Sequence, residues 1–341
     1  MKIRNLWIVL LVGSLISGIA VADEMVMRNG SRIVGKLVSA GDGNIQFETP
    51  WGGTLSVREE NVESITTTEP STIMMEDGAI FREKVLTANN ETITVQRQGE
   101  EPRAYAVQDI KWVNPEPWLL GDGYRWTGRV STALEAQRGN TDTDEWDADF
   151  RTEWRSLEDR LVIRGNGEFD EASGETVAEN WEIRNKYDRF MGDDPDNYWG
   201  GKLRFEYDDF QDLDLRTLVG PHVGRQFFET SLLDLKGEFG PVYVDEQFNE
   251  AEDNDYYGAL IEIEAESDII GFGTTLFLLH DTTLNFDSFD EPLSNTTIGL
   301  RMPLIYGFET SFQVEIEYVG TAPDDRDSTD ETYNFSIGYA W

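Results

Sequence analysis

The chain has 341 residues, enough for two domains, and carries a formal net charge of −38 at neutral pH. Such a charge repels the phosphates of nucleic acids, which excludes a nucleic-acid partner, and it attracts cations. The sequence contains no cysteine, so a large core or a closed hydrogen-bond ladder must hold the fold in place of disulfides.

Residues 1–22 have the pattern of a secretory signal peptide. Lys2 and Arg4 precede an apolar run from Leu6 to Leu15, and the segment ends in the small residues Ala20 to Ala22. A basic start, a short apolar stretch and a small-residue cleavage site are typical of a leader that is removed on export. The run is shorter than the ~20 residues that a spanning helix needs. We therefore predict cleavage after Ala22.

Residues 24–114 contain a tandem repeat of two units. The segment "VMRNGSRIVGKL" from Val26 aligns with "MMEDGAIFREKV" from Met74 at an offset of 48 residues, and the register persists without gaps. Asn-Gly in the first copy and Asp-Gly in the second are hairpin signals. The pattern predicts two small sheets or SH3-like barrels. Two interpretations stay open for this periplasmic domain: a module that binds a partner such as the cell wall, or a spacer or plug.

Residues 115–125 form a linker, and from residue 126 to residue 341 apolar and charged residues alternate in long runs. In one run, Trp199, Leu203 and Phe205 fall on one face, whereas Lys202 and Arg204 fall on the other. Most runs reach the ~9–11 residues of a tilted membrane strand, with aromatic residues mainly at the run ends, as in barrel girdles. We predict an all-β fold, with a transmembrane antiparallel β-barrel of about twelve strands after a small duplicated β-rich periplasmic domain.

The connections between the runs alternate between polar, mostly longer segments and mostly shorter turns. In bacterial barrels the short turns face the periplasm and the long loops face outward. An even number of strands leaves both ends of the barrel segment on the inner side. We therefore expect residues 126–341 in the bacterial outer membrane and residues 24–114 in the periplasm.

The last strand shows the alternation clearly. Its large apolar face consists of Tyr333, Phe335, Ile337, Tyr339 and Trp341. This face would contact lipid, because a sheet in hydrocarbon must close on itself to pair every backbone group. The pattern resembles the sorting signal of bacterial outer-membrane barrels, with Trp341 in the place of the usual Phe. That resemblance implies the barrel-assembly machinery as a partner, and outer-membrane lipid and lipopolysaccharide as surroundings.

Several motifs resemble those of the salt-induced outer-membrane proteins, a family of unknown function. They are "WTGRVSTALEAQRGNTDT" from Trp126, "KYDRFMGDD" from Lys186 and "FEYDDFQDLDLRTLVGPHVGRQF" from Phe205. Upstream, "RNGSRIVGKL" from Arg28 is similar to the leader domain of many members, with Ser31 where Asp is usual. The resemblance implies an outer-membrane barrel associated with salt or osmotic stress, and it implies no catalytic residues.

Strand direction and alternation place a set of charged residues inside the barrel. The lumen-facing candidates are Arg151, Arg155, Arg164, Arg184, Lys202, Arg204, Glu262, Glu264, Glu315 and Glu317. Twelve strands lie between filled eight-stranded barrels and open porins, so side chains decide whether the lumen conducts. Two interpretations stay open: a narrow cation-preferring pore, or ion pairs that fill the lumen and hold the barrel shape.

Two further interpretations belong to other classes of function. An outer-membrane hydrolase would need His222 or His280 as a base, the latter with Asp281 beside it and Ser288 in the next loop. The acidic loops "DEQFNEAEDND" and "PDDRDSTDE" offer oxygens for Ca²⁺ or Mg²⁺ that would bridge to lipopolysaccharide phosphates. Neither loop has EF-hand spacing. We expect a protein that is not an enzyme, and we assign no catalytic, cofactor-binding or metal-binding residues.

Overall fold

The structure is a computed structural model that describes residues 22–41, 43–89, 91–96, 99, 101–137, 143–172, 175–192, 194–230, 232–289, 292–320 and 328–341. The chain splits into two compact units, Met1–Glu116 and Pro117–Trp341. The predicted signal peptide lies outside the described residues except for Ala22, as does the Gly139-Asn140-Thr141 part of the family motif. No helix in the described ranges is long and apolar enough to cross a membrane.

The first unit consists of short strands and two 3₁₀ turns, Glu59–Asn61 and Val107–Asp109. The strands are β1 (Asp23–Met27), β2 (Arg32–Gly41), β3 (Asn44–Thr49), β4 (Gly53–Arg58), β5 (Val62–Thr66), β6 (Pro70–Met75), β7 (Ile80–Ala88), β8 (Thr92–Gln96), β9 (Arg103–Ala106) and β10 (Ile110–Val113).

The second five strands of this unit repeat the first five. The 3₁₀ turns begin at Glu59 and Val107, and the strands that follow them begin at Val62 and Ile110, with the 48-residue offset of the sequence repeat. Within the copies, the pairing runs β5–β1–β2–β3–β4 and β10–β6–β7–β8–β9. The pairs β5–β7 and β10–β2 join the copies. The result is one ten-stranded sheet, where the sequence had suggested two separate small ones.

A single apolar core explains why the two copies share one sheet. Both copies contribute buried side chains at equivalent positions, so neither copy encloses a core alone. The buried members are Met25, Leu37, Ile45, Phe47, Val62 and Ile65 from the first copy, and Ile73, Val85, Ile93, Val95 and Val113 from the second.

The second unit is a closed barrel preceded by a 3₁₀ turn, Pro117–Leu120. Its strands are β11 (Arg125–Gln137), β12 (Thr143–Arg155), β13 (Asp159–Ala172), β14 (Glu175–Met191), β15 (Asp194–Asp208), β16 (Leu213–Glu229), β17 (Asp234–Phe248), β18 (Asn254–Gly271), β19 (Thr274–Asn285), β20 (Leu293–Pro303), β21 (Phe308–Val319) and β22 (Thr329–Ala340). A further 3₁₀ turn, Asp209–Gln211, lies between β15 and β16.

Each barrel strand pairs antiparallel with its neighbours, and β22 closes the ring on β11. Backbone hydrogen bonds in both directions between Gly128 and Trp341 extend this seam. The alternation of each strand places one set of side chains inside and the other outside: on β17, Glu238 and Val244 are buried, whereas Phe239 is exposed. The predicted twelve-stranded closed antiparallel barrel is confirmed.

Gly200 and Gly201 on β15 test the strand packing as a matched pair. A Cβ at Gly200 would lie 1.8 Å from the carbonyl oxygen of Tyr187 on β14, whereas a Cβ at Gly201 would meet nothing within 4 Å. We expect Gly200→Ala to push the two backbones apart and to lower the free energy of unfolding by about 1–3 kcal/mol. Gly201→Ala should change it by less than ~0.5 kcal/mol. The urea midpoint of the lipid-reconstituted barrel measures both, and equal midpoints would contradict this packing.

Candidate functional site

Ion pairs cross the barrel lumen from one wall to the opposite wall. Arg184 Nη1 on β14 donates to Asp281 Oδ1 on β19 at 2.7 Å, with β15 to β18 between the two strands. Arg164 Nη2 on β13 donates to Glu264 Oε2 on β18 at 2.6 Å. Strands that far apart in a closed ring do not adjoin, so these contacts bridge the interior. The lumen is therefore spanned by side chains at this level.

The bridging pairs share partners and form a network. Lys202 contacts both Glu262 and Glu238, the latter at 2.6 Å between Nζ and Oε2. Lys186 Nζ lies 2.5 Å from Glu238 Oε1, and Arg204 Nη2 lies 3.0 Å from Asp281 Oδ2. Shared, charge-assisted contacts of this kind fix side chains more tightly than isolated pairs do.

Toward the end of the barrel that carries the short turns, the network continues around Asp188. Arg160 donates to Asp188 Oδ2 at 2.8 Å through Nε, and His222 Nε2 lies 2.7 Å from Asp188 Oδ1. Tyr198 donates its hydroxyl to Glu238 Oε1 at 2.7 Å. A lumen filled with water would leave these polar groups exposed, but Asp188 is 0% and His222 is 4% exposed. The interior is therefore packed here and excludes water.

An apolar cluster also occupies the lumen beside the ion pairs. Its members come from three adjacent strands, β16 to β18, and are Leu218, Val242, Val244, Tyr256 and Leu260. The cluster was not among the predicted lumen residues, all of which are charged. The sequence does indicate the cluster. Val242 and Val244 lie an even number of residues from Glu238 on the same strand, so alternation places all three side chains on the lumen face.

A cavity of about 300 Å³ remains in the lumen, and its lining extends from Asp208 near the longer loops to Glu309 near the short turns. Its wall is rich in carboxylates, and we call its part near the longer loops the acidic vestibule, defined by Asp147, Asp149, Glu168, Glu315 and Glu317. The side-chain amides of Gln313 and Asn334 donate to Glu315 Oε1 at 2.6 and 3.5 Å. Among the described residues, no Lys or Arg forms an ion pair with Asp147, Asp149, Glu168 or Glu315. The lining of the whole cavity contains ten carboxylates and five arginines, so it carries net negative charge.

The structure thus separates the ten lumen candidates into two groups. Glu315 and Glu317 line the acidic vestibule. The other eight take part in ion pairs, and they are Arg151, Arg155, Arg164, Arg184, Lys202, Arg204, Glu262 and Glu264. We call these eight residues and their partners the ion-pair plug, the partners being Glu153, Glu182, Lys186, Glu229, Lys236, Glu238, Glu266 and Asp281.

Arg155 marks the edge of the plug near the short turns. It forms a two-pronged contact from β12 to Glu229 on β16, at 2.5 and 3.2 Å. Its guanidinium also lies 5.8 Å from the ring of Trp118 and 5.3 Å from the ring of Phe190. Cation–π contacts of this kind hold the 3₁₀ turn before the barrel against the mouth of the lumen.

Asp188, His222 and Glu238 place three ligand-type atoms close together, and they are the one such group found within the described ranges. The basic side chains of Arg160, Lys186 and Lys202 already contact the two carboxylates. A divalent cation here would have to displace ammonium or guanidinium groups from buried carboxylates, which is unfavourable. The donor set therefore fits an ion-pair cluster and does not fit a metal centre.

The hydrolase interpretation depends on the surroundings of His280. Its ring nitrogens bond to the hydroxyls of Thr296 at 2.8 Å and Thr282 at 3.1 Å. Asp281 belongs to the opposite face of β19 and contacts Arg184 inside the lumen. Alternation along the strand thus separates His280 from its neighbouring carboxylate, and the part of the chain described here brings no serine within hydrogen-bond distance of either histidine ring.

Of the two acidic loops, one is described and the other lies mostly outside the described residues. In the first, backbone amides of Glu250 and Ala251 donate to the carboxylate of Asp212 at 2.9 and 2.8 Å, and the amide of Phe248 donates to Asp253 at 3.2 Å. The loop's own Asp253 and Asp212 from the neighbouring connection therefore order its backbone. Residues 323–327 of the second loop are not described.

The outer surface carries two aromatic belts separated by an apolar band. Near the short turns, the ring of Trp126 stacks on Trp154 at 6.2 Å and meets Trp341 edge-on at 5.6 Å. Near the longer loops, Trp181 stacks on Tyr207 at 6.1 Å. The predicted apolar face of the last strand points outward, and all five of its members are exposed: Tyr333, Phe335, Ile337, Tyr339 and Trp341.

The barrel segment matches the model of a family described as "Protein of unknown function, DUF481" over residues 130–341. No curated protein matches the chain. Among solved structures, the chain is similar to the β domain of the Bordetella autotransporter Brka, at 11% identity over 64% of this chain and 98% of that chain, with a TM-score of 0.33.

The chain is also similar to the outer membrane channel DcaP of Acinetobacter baumannii, at 10% identity over 94% of each chain, with a TM-score of 0.31. A third similarity is to CdiB from Acinetobacter baumannii, at 10% identity over 94% of this chain and 59% of that chain, with a TM-score of 0.28. At such scores the function has to be argued from the residues of this chain.

Proposed function

This chain belongs to the family of unknown function DUF481, and from its own geometry we propose that it is an outer-membrane barrel whose lumen is closed by the ion-pair plug. The acidic vestibule above the plug attracts cations, so a path opened through the plug is cation-selective. The observation that carries this proposal is the set of ion pairs that connect opposite walls, such as Arg184 with Asp281.

The outer surface supports a membrane location. Large apolar side chains cover the middle of the barrel, including Val130, Ile183 and Ile298, each more than a third exposed. Aromatic belts flank this band, as they flank the hydrocarbon band of outer-membrane barrels. Water would make such a surface aggregate, whereas lipid stabilises it. The alternation of short turns and longer loops supports an N-terminal domain in the periplasm, because both ends of the barrel lie on the short-turn side.

Electrostatics support the cation preference. The plug is nearly balanced in charge, because each basic side chain in it contacts at least one carboxylate. The acidic vestibule has no such balance, and a cleft with one sign of charge in a low-dielectric wall concentrates ions of the opposite sign. A cation-binding entrance above a closed plug agrees with the salt or osmotic association that the sequence resemblance implies.

Planar-bilayer recording tests the closed plug. We expect the wild-type protein to show no steady conductance. Five side chains of the lumen are replaced together by alanine: Arg164, Lys202, Lys236, Glu262 and Glu264. Lys236 is included because its ammonium lies 3.0 Å from Glu264 and would otherwise stay buried without that carboxylate. This variant should conduct, with a reversal potential in a KCl gradient that indicates K⁺ over Cl⁻.

The matched control removes an ion pair outside the lumen, Arg189→Ala with Glu158→Ala, whose side chains are 41% and 71% exposed. It should remain silent. Steady conductance of the wild-type protein would disprove the closed plug. An opened variant that prefers Cl⁻ would disprove the role of the acidic vestibule.

A further inference from the structure

The first unit contains a cavity of about 100 Å³ that both repeat copies line together. Its lining residues occur in pairs separated by the repeat offset of 48 residues, for example Leu37 with Val85, Ala40 with Ala88, and Ile45 with Ile93. The cavity therefore lies where the two copies meet, with seven lining residues from the first copy and eight from the second.

The strand pairing explains why this space exists. Among the described residues, the strand register joins the two copies at Ile65 with Ala88 and at Val113 with Ala40. All four of these residues line the cavity. Each junction thus brings one small alanine against a larger aliphatic side chain, and the alanines leave room that a leucine or phenylalanine would fill.

The polar groups around the cavity are few. Asn89 uses its side-chain oxygen to accept the amides of Glu91 and Thr92, so it is already engaged. Glu59 and Lys111 also line the cavity, and neither forms an ion pair with a described side chain. One carboxylate and one ammonium group give no net preference for a charged ligand.

We propose that this cavity is a binding site for a small uncharged apolar molecule or group, about the size of a branched alkyl chain or a single ring. An enclosed apolar cavity of roughly 150 Å³ in another protein stays dry and binds benzene or xenon. The cavity here is smaller, about 100 Å³, and opens to solvent beside the exposed Asn89 and Lys111, so its aliphatic lining holds such a ligand on the other sides. This proposal concerns the first unit alone and does not depend on the state of the barrel lumen.

Benzene serves as the probe in a methyl-NMR titration of the full chain in lipid nanodiscs, with isoleucine methyl groups labelled. The methyl groups of Ile45, Ile65, Ile93 and Ile110 line the cavity. They should shift with benzene and reach saturation. Ile73 belongs to the same core but does not line the cavity, so its methyl group should shift far less. Isoleucines on the barrel surface should show only a non-saturating change from benzene in the lipid.

Ala88→Leu should fill the cavity and abolish the saturable shifts while the Ile73 signal remains at its folded position. Ala104→Leu is the control, because Ala104 is exposed on β9; it should leave the shifts unchanged. If Ala88→Leu prevents folding, Ala40→Leu fills the cavity from the other copy. The absence of saturable shifts in the wild-type chain overturns the proposal, and so do shifts of equal size in a folded cavity-filling variant.

Discussion

Asp281→Ala is expected to lower the free energy of unfolding of the barrel by about 3–5 kcal/mol, because removing one partner of a buried ion pair leaves the other charges uncompensated. Asp281 is 5% exposed and accepts hydrogen bonds from Arg184 at 2.7 Å and Arg204 at 3.0 Å. Without it, both guanidinium groups must share the remaining carboxylates, among them Glu182. The measurement is the urea midpoint of the heat-modifiable gel shift in lipid vesicles.

Asp287→Ala is the matched control, since Asp287 is an exposed aspartate just beyond the end of the same strand. It should change the midpoint by less than ~0.5 kcal/mol. Asp281→Leu separates charge from volume: it fills the space but leaves the same cations unpaired, so it should be about as destabilising as Asp281→Ala. A stable Asp281→Ala protein would show that the lumen is hydrated and that the plug contributes little.

Ile298→Arg on β20 is expected to cost about 2–4 kcal/mol in a lipid bilayer, as an arginine does on the lipid face of a barrel near the midplane. Ile298 is 44% exposed and lies midway along its strand. Its cross-strand neighbours Leu278 and Val314 are also apolar. A charge there would be placed in hydrocarbon with no partner. Equilibrium refolding into lipid vesicles measures the change.

The control for this prediction is Phe289→Arg, in the connection between β19 and β20, where the side chain is 65% exposed. Near the interface the expected cost is only ~0–1 kcal/mol. If Ile298→Arg were tolerated as well as Phe289→Arg, the apolar band would not be in contact with lipid. The membrane location proposed for the barrel would then be wrong.

Period-2 alternation was sufficient to predict the barrel. It assigned Trp199 and Phe205 to one face and Lys202 and Arg204 to the other, and the structure places the two basic residues in the ion-pair plug. The alternation can be recognised from the sequence because a barrel strand in lipid has apolar side chains along the whole of its outer face. The 48-residue repeat was also visible in the sequence, because each copy contributes apolar side chains to the shared core at equivalent positions.

The partners of these residues were decided by the tertiary structure alone. Alternation gives the face of a side chain, but it does not give the strand that lies opposite to it. Arg184 reaches Asp281 across a separation of 97 residues because the ring closes and its stagger brings β14 and β19 to the same height. The union of the two N-terminal copies into one sheet has the same cause. Contacts between distant segments depend on how the whole chain closes, which no local pattern specifies.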